Sequence, residues 1–151
     1  MEVRFIVDSM LGRLAKWLRI MGYDTHYQPF YTEGLIELLV HGGGRLLSRH
    51  RPTIMQYPNA VLILSDHVKD QLHEMKHGGS LTADRSKWFT RCLICNVPLR
   101  ETDAEDARAN LPEYVSYKYT SEIRFCPSCG RYFWPGSHRG RMTKQLEEWG
   151  L

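Results

Sequence analysis

Along the first eighty residues, apolar positions alternate between two rhythms. Val3, Phe5, Ile6 and Val7 make a run that stops on Asp8. Because both parities are apolar, the run predicts a strand buried on two faces, as in a parallel sheet covered by helices. Arg45-Leu46-Leu47-Ser48 reads the same way, and Ala60-Val61-Leu62-Ile63-Leu64 gives the clearest strand signal in the chain. Asp24-Thr25-His26-Tyr27 reads as a shorter strand. Between these runs the spacing becomes three and four. Leu11, Leu14, Ala15, Leu18 and Met21 share one face of a helix that runs from Ser9 and ends at Gly22. A short helix from Glu33 to Val40 closes on Gly42-Gly43-Gly44, and Pro52 opens another after Arg49-His50-Arg51. Val68, Gln71, Leu72 and Met75 place a fourth helix before Gly78-Gly79. Strands alternating with helices predict a parallel α/β layer with right-handed crossovers.

That topology has a geometric consequence. Asp8, the Ser48-Arg49-His50 turn and Asp66 each follow a strand, so they should gather along one edge of the sheet, where open α/β folds collect their ligands. An ionised carboxylate beside an apolar run is costly unless donors or a cation meet it. Asp8 therefore reads either as the cap of the helix that follows it or as a ligand for a metal ion. Arg13, Lys16 and Arg19, at a spacing of three on that helix, read as a solvated face or as a cationic row beside the same edge.

From Ser80 the character changes, which predicts an α/β domain over residues 1–79, a linker over 80–90 and a second region over 91–151. Arg91-Cys92-Leu93-Ile94-Cys95-Asn96 and Phe125-Cys126-Pro127-Ser128-Cys129-Gly130 are two C-x-x-C knuckles, separated by an acidic, Ala-rich insert from Glu101 to Ala109. Their four thiolates, Cys92, Cys95, Cys126 and Cys129, suit zinc in a closed tetrahedral structural site. The 30 residues between Cys95 and Cys126 exceed the roughly 15–20 of the short zinc-ribbon pattern. Downstream, Arg131-Tyr132-Phe133-Trp134 through Ser137-His138-Arg139 interleaves aromatic and basic side chains. Such a strip can stack on unpaired bases while its cations meet phosphate, or its aromatics can pack the ribbon. Trp134, His138 and Arg139 are the candidate contacts. A final helix is expected from Gly140 to Trp149.

Composition adds bounds rather than direction. The chain has 151 residues, which favours one domain with a small appendage, and a formal net charge of +3, which permits nucleic-acid binding without demanding it. There is no apolar leader, no long apolar span and no internal repeat beyond the knuckles. The expectation is a cytoplasmic protein that keeps its cysteines reduced for metal, uses no small-molecule cofactor and avoids membranes. Oligomeric state is not legible.

Taken together, Phe5-Ile6-Val7-Asp8 before Met10-Leu11-Gly12-Arg13-Leu14-Ala15-Lys16-Trp17-Leu18-Arg19, Gly22-Tyr23-Asp24, Gly44-Arg45-Leu46-Leu47-Ser48-Arg49, Gln71-Leu72, the first knuckle, and Trp134-Pro135-Gly136-Ser137-His138 resemble one family. It is the PIN-like ribonuclease domain with a zinc ribbon, named after the carboxy-terminal part of the Mut-seven exonuclease. The resemblance spans nearly the whole chain. It implies a parallel sheet between helices whose strand-end carboxylates hold Mg²⁺ or Mn²⁺ to hydrolyse RNA. Asp8, Asp66 and Glu33 are then the catalytic candidates, and Arg13, Lys16, Arg19 and Arg49 the candidates for meeting the RNA backbone. Two positions depart from the family pattern: Thr32 stands where an acidic residue is usual, and Ser48-Arg49-His50 replaces Thr-Arg-Asp. Losing carboxylates weakens a site for hard cations. Two functional readings follow, a metal-dependent endoribonuclease and an RNA-binding or ribonucleoprotein-associated module with weakened catalysis. A protein-binding adaptor is a third, lesser one.

Overall fold

The computed structural model describes residues 3–151. The chain divides into two compact units, Met1–Asn96 and Val97–Leu151.

In the first unit, β1 (Arg4–Val7) leads through a 3-10 turn, Ser9–Leu11, into α1 (Gly12–Ile20). There follow β2 (Asp24–Tyr27), α2 (Leu35–His41), β3 (Arg45–Ser48), α3 (Arg51–Ile54), β4 (Val61–Leu62) and α4 (Val68–His77). The four strands form one parallel sheet in the order β2-β1-β3-β4, with Val7 level with Tyr27 on one side and Leu47 on the other. Phe5, Ile6, Val7, Leu46 and Leu47 are all buried, as the apolar runs require. Helix α1 turns Leu14, Ala15, Leu18 and Ile20 into this core, and α4 adds Val68, Leu72 and Met75. Gln71 is buried among them because its amide donates to the Ser65 carbonyl at 2.9 Å. Gly22 has φ +91°, and a Cβ there would lie 2.2 Å from the Lys87 carbonyl oxygen, so no other residue fits the turn out of α1.

Within the first unit, three element boundaries differ most from the periodicity. The helix expected from Ser9 starts as a 3-10 turn because Asp8 Oδ1 accepts from the Ser9 N–H, and α-helical geometry begins only at Gly12. Helix α2 starts at Leu35, after Gly34 at φ +84°. The strongest strand signal shrinks to Val61–Leu62. This strand lies at the sheet edge, and beyond Ile63 the N–H groups of Leu64 and Ser65 bond to the Glu74 carboxylate instead of a neighbouring strand.

In the second unit, β5 (Arg100–Glu101), β6 (Arg124–Phe125) and β7 (Tyr132–Phe133) form a small antiparallel sheet. The insert between β5 and β6 is helical: α5 (Ala104–Asn110), capped by the Asp103 carboxylate, and α6 (Glu113–Lys118). Ala107, Val115 and Ile123 form its buried centre, with Tyr132 and Trp134 packed against them. The last helix, α7 (Ser137–Glu148), begins three residues earlier than expected and buries Met142 and Leu146.

Candidate functional site

Strand order β2-β1-β3-β4 places the topological switch between β1 and β3, since the chain leaves β1 toward one side and later returns on the other. Asp8 and Ser48 stand at the carboxyl ends of those two strands, where such sheets open a crevice. Asp8 is held at three points. Its N–H bonds the Leu47 carbonyl at 3.0 Å, its Oδ1 accepts from Ser9 N–H at 2.7 Å, and its Oδ2 accepts from Ser48 Oγ at 2.5 Å. Ser48 is fully buried and also accepts from the His50 N–H at 3.0 Å. Asp8 therefore does serve as a cap, while its half-buried carboxylate still faces the strand-end edge.

Two tyrosines that the sequence reading passed over border this carboxylate. The Tyr31 hydroxyl donates to the Val7 carbonyl at 2.7 Å, and the Tyr27 hydroxyl to the Ser9 carbonyl at 2.7 Å. Burial pushes the Tyr31 phenol up to about 12, and the charge of Asp8 acts in the same direction, so the ring keeps its proton throughout the neutral range. Tyr27 lies directly over Gly12, where a Cβ would come 2.9 Å from its hydroxyl oxygen. A signal was present: Tyr27 ends β2 on the same sheet edge as Asp8.

Each of the other expected residues has surroundings of its own. Asp66 is exposed and paired with Arg49 at 2.6 Å, and Arg49 also donates to the Leu64 carbonyl at 3.2 Å. Glu33 and Thr32 are exposed on the loop before α2. His50 is exposed and bonds the Thr53 hydroxyl at 2.6 Å. Arg13 and Lys16 are exposed on α1, whereas Arg19 is half-buried and donates to the carbonyls of Thr25, Leu93 and Ile94. Burial draws the Arg19 pKa down, opposed by the charges of Cys92, Tyr31 and Cys95. In the second unit, Trp134 packs on the Ala107 cluster, and His138 and Arg139 lie in the first turn of α7, His138 exposed and Arg139 half-buried. Burial also draws the Arg139 pKa down.

Each cysteine knuckle closes in the same way. In the first, the Cys95 N–H points at Cys92 Sγ (3.4 Å) and the Asn96 N–H bonds the Cys92 carbonyl (2.9 Å), with Asn96 at φ +65°. In the second, the Cys129 N–H points at Cys126 Sγ (3.4 Å) and the Gly130 N–H bonds the Cys126 carbonyl (2.8 Å), with Gly130 at φ +77°. The four Sγ atoms lie within 4.8 Å of one another. Zinc–sulfur bonds of about 2.3 Å put tetrahedral sulfurs about 3.8 Å apart, so this donor set fits a zinc ion and leaves no open position. Among the described residues no other group of three or more Cys, His, Asp or Glu side chains comes close enough to hold an ion. Asp8 belongs to no such group, and each of its carboxylate oxygens accepts one hydrogen bond from the protein.

A parallel α/β sheet flanked by helices, followed by a small four-cysteine ribbon, defines the class of protein. Residues 3–146 match the family described as the Mut7-C RNAse domain, and the chain belongs to that family. No curated protein and no solved structure matches the chain. No helix among the described residues is long and apolar enough to cross a membrane.

Proposed function

We propose that the protein is a ribonuclease of low turnover that takes RNA along the carboxyl edge of its parallel sheet, with Asp8 as its central carboxylate. The observation that carries this reading is the Asp8–Ser48 pair at the switch between β1 and β3. Arg13 and Lys16 are exposed on the helix that starts beside it, at positions from which they would neutralise RNA phosphates. Mg²⁺ commonly sits on one or two carboxylates together with substrate phosphates, so Asp8 offers one attachment point and the RNA must supply the rest. Held at Asp8, Mg²⁺ or Mn²⁺ would supply a lowered pKa for a bound water and offset charge on the phosphate. Asp66 and Glu33 are the remaining carboxylates of the endoribonuclease reading, with Asp66 having to leave Arg49 to take part. The four cysteines hold zinc as a structural ion for the ribbon, consistent with a reducing, cytoplasmic setting.

A second reading is favoured by one specific feature. Arg49 occupies Asp66, and His50 and Thr32 bring no carboxylate to the edge, as expected of a module that binds RNA without turning it over. Cleavage of a mixed RNA pool by the purified full chain in Mn²⁺ or Mg²⁺, beside EDTA and Asp8→Asn lanes, decides between them. Metal-dependent cutting that disappears in Asp8→Asn supports the ribonuclease. RNA retained with no cutting under either ion supports the binding module. Introducing a carboxylate through His50→Asp is expected to raise Mg²⁺-dependent cleavage.

A further inference from the structure

Arg13, Lys16 and Arg19 look like one cationic row, but a spacing of three turns each successive side chain about 60° back around a helix of 3.6 residues per turn. By Arg19 the row has rotated about 120°, from solvent to the sheet edge. There the guanidinium Nε donates to the Thr25 carbonyl at 3.0 Å, and Nη1 donates to the carbonyls of Leu93 at 3.0 Å and Ile94 at 3.2 Å, between the two cysteines of the first knuckle. Asn96 completes the connection from the other side. Its Oδ1 accepts from the Thr25 N–H at 2.9 Å, and its Nδ2 donates to Asp24 Oδ1 at 2.7 Å. Thr25 is buried on β2, the edge strand of the parallel sheet. Its N–H and C=O, which an edge strand would leave open, are therefore taken by Asn96 and Arg19. Arg91 adds a bond to the Gly22 carbonyl at 3.1 Å and one to the Asn96 carbonyl at 2.8 Å.

We infer that Arg19 and Asn96 are positioning residues for the metal centre. They fasten the first knuckle onto β2, and Arg19 brings a positive charge to thiolates that, with zinc, carry a net negative charge. Residues that hold ligands in place typically contribute 10–100-fold to metal affinity. A guanidinium fork suits the task better than an ammonium, because its planar donors reach the carbonyls of Thr25, Leu93 and Ile94 at once. Arg19 is thereby drawn away from RNA, and phosphate contact on α1 falls to Arg13 and Lys16.

The test measures zinc rather than catalysis. Full-length parent, Arg19→Gln, Arg19→Lys and Asn96→Gly are titrated with a chromogenic chelator under reducing conditions, and zinc transfer is read. Asn96→Gly keeps the left-handed backbone that closes the knuckle and removes only the side-chain bonds. Both Arg19→Gln and Asn96→Gly are expected to release zinc at roughly 10–100-fold lower chelator concentration, with Arg19→Lys between them and the parent. RNA retention at low salt should be unchanged in Arg19→Gln and should drop in Arg13→Gln. Parental zinc affinity in Asn96→Gly overturns the inference, and so does an Arg19→Gln protein that keeps zinc but loses RNA. Should Arg19→Gln fail to fold, Asn96→Gly alone decides. The zinc readout is independent of whether the protein cleaves RNA.

Discussion

Replacing Ser48 with alanine tests the bond at the centre of the proposed site. Ser48 is fully buried at the end of β3, and alanine keeps its Cβ, so no sizeable cavity opens. Two interactions disappear. The first is the charge-assisted bond from Ser48 Oγ to Asp8 Oδ2 at 2.5 Å, and bonds to charged groups contribute roughly 1.5–3 kcal/mol. The second is the acceptor for the His50 N–H at 3.0 Å, whose loss adds about 1 kcal/mol. The expected destabilisation is therefore roughly 2–4 kcal/mol, or about 5–12 °C in Tm for a chain of this size. Urea unfolding of parent, Ser48→Ala, Asp8→Ala and the double variant measures it, and the double-mutant cycle isolates the pairwise part. A Ser48→Ala cost below about 0.5 kcal/mol, or a negligible coupling to Asp8, would show that the serine does not hold the carboxylate.

Other substitutions and conditions have equally definite outcomes. Gly22→Ala forces a Cβ onto the Lys87 carbonyl at φ +91° and should cost roughly 2–5 kcal/mol, whereas Gly43→Ala, at φ +102° with nothing within 4 Å, should cost only about 1–2; thermal melts of the two give the packing part by difference. Burial works to raise the Glu74 carboxyl, but bonds from the Ser65 hydroxyl and the N–H groups of Leu64 and Ser65 outweigh it and hold the group below its ordinary 4.5. Because the folded value is the lower one, Glu74 stabilises the fold above the unfolded value, and that contribution fades as pH falls through the folded one. Glu74→Gln should therefore flatten the acid side of the stability–pH curve below about pH 5, measured by urea midpoints from pH 7 down to 3. Chelating the zinc under reducing conditions is expected to abolish amide protection at Phe125 and Phe133 in the ribbon while Ile6 and Leu46 stay protected, as hydrogen exchange would show.

Much of the fold could be read from the chain because its core elements satisfy both pattern and packing. Phe5, Ile6 and Val7 are apolar on both parities and are buried on both faces, and Leu14, Ala15 and Leu18 keep helical spacing and face the core. The knuckles were legible from Asn96 and Gly130, whose left-handed backbones close each turn. What escaped was set by tertiary partners. Residues Ala60 to Leu64 have the composition of a strand, but at the edge the pairing ends with the Ile63 N–H on the Ser48 carbonyl, and a glutamate from α4 takes the N–H groups of Leu64 and Ser65. Trp134 sits among basic residues in sequence yet packs against Ala107, Val115 and Ile123. Strand ends led to the expectation of Asp8 and Asp66 along one edge, but no periodicity could reveal that Arg49 would claim Asp66 or that Tyr31 would stand beside Asp8.

The anchoring of Asp8 also bears on motion. Its amide belongs to the ladder between the two central strands, and each carboxylate oxygen has a protein donor. Freeing that amide requires opening the sheet itself, so its hydrogen should exchange on the timescale of unfolding of the whole first unit rather than with loop fluctuations. The carboxylate is a fixed post. On the proposed reading, RNA approaching it would have to do the adjusting, which would favour an unpaired, bendable strand over a stiff duplex at this edge.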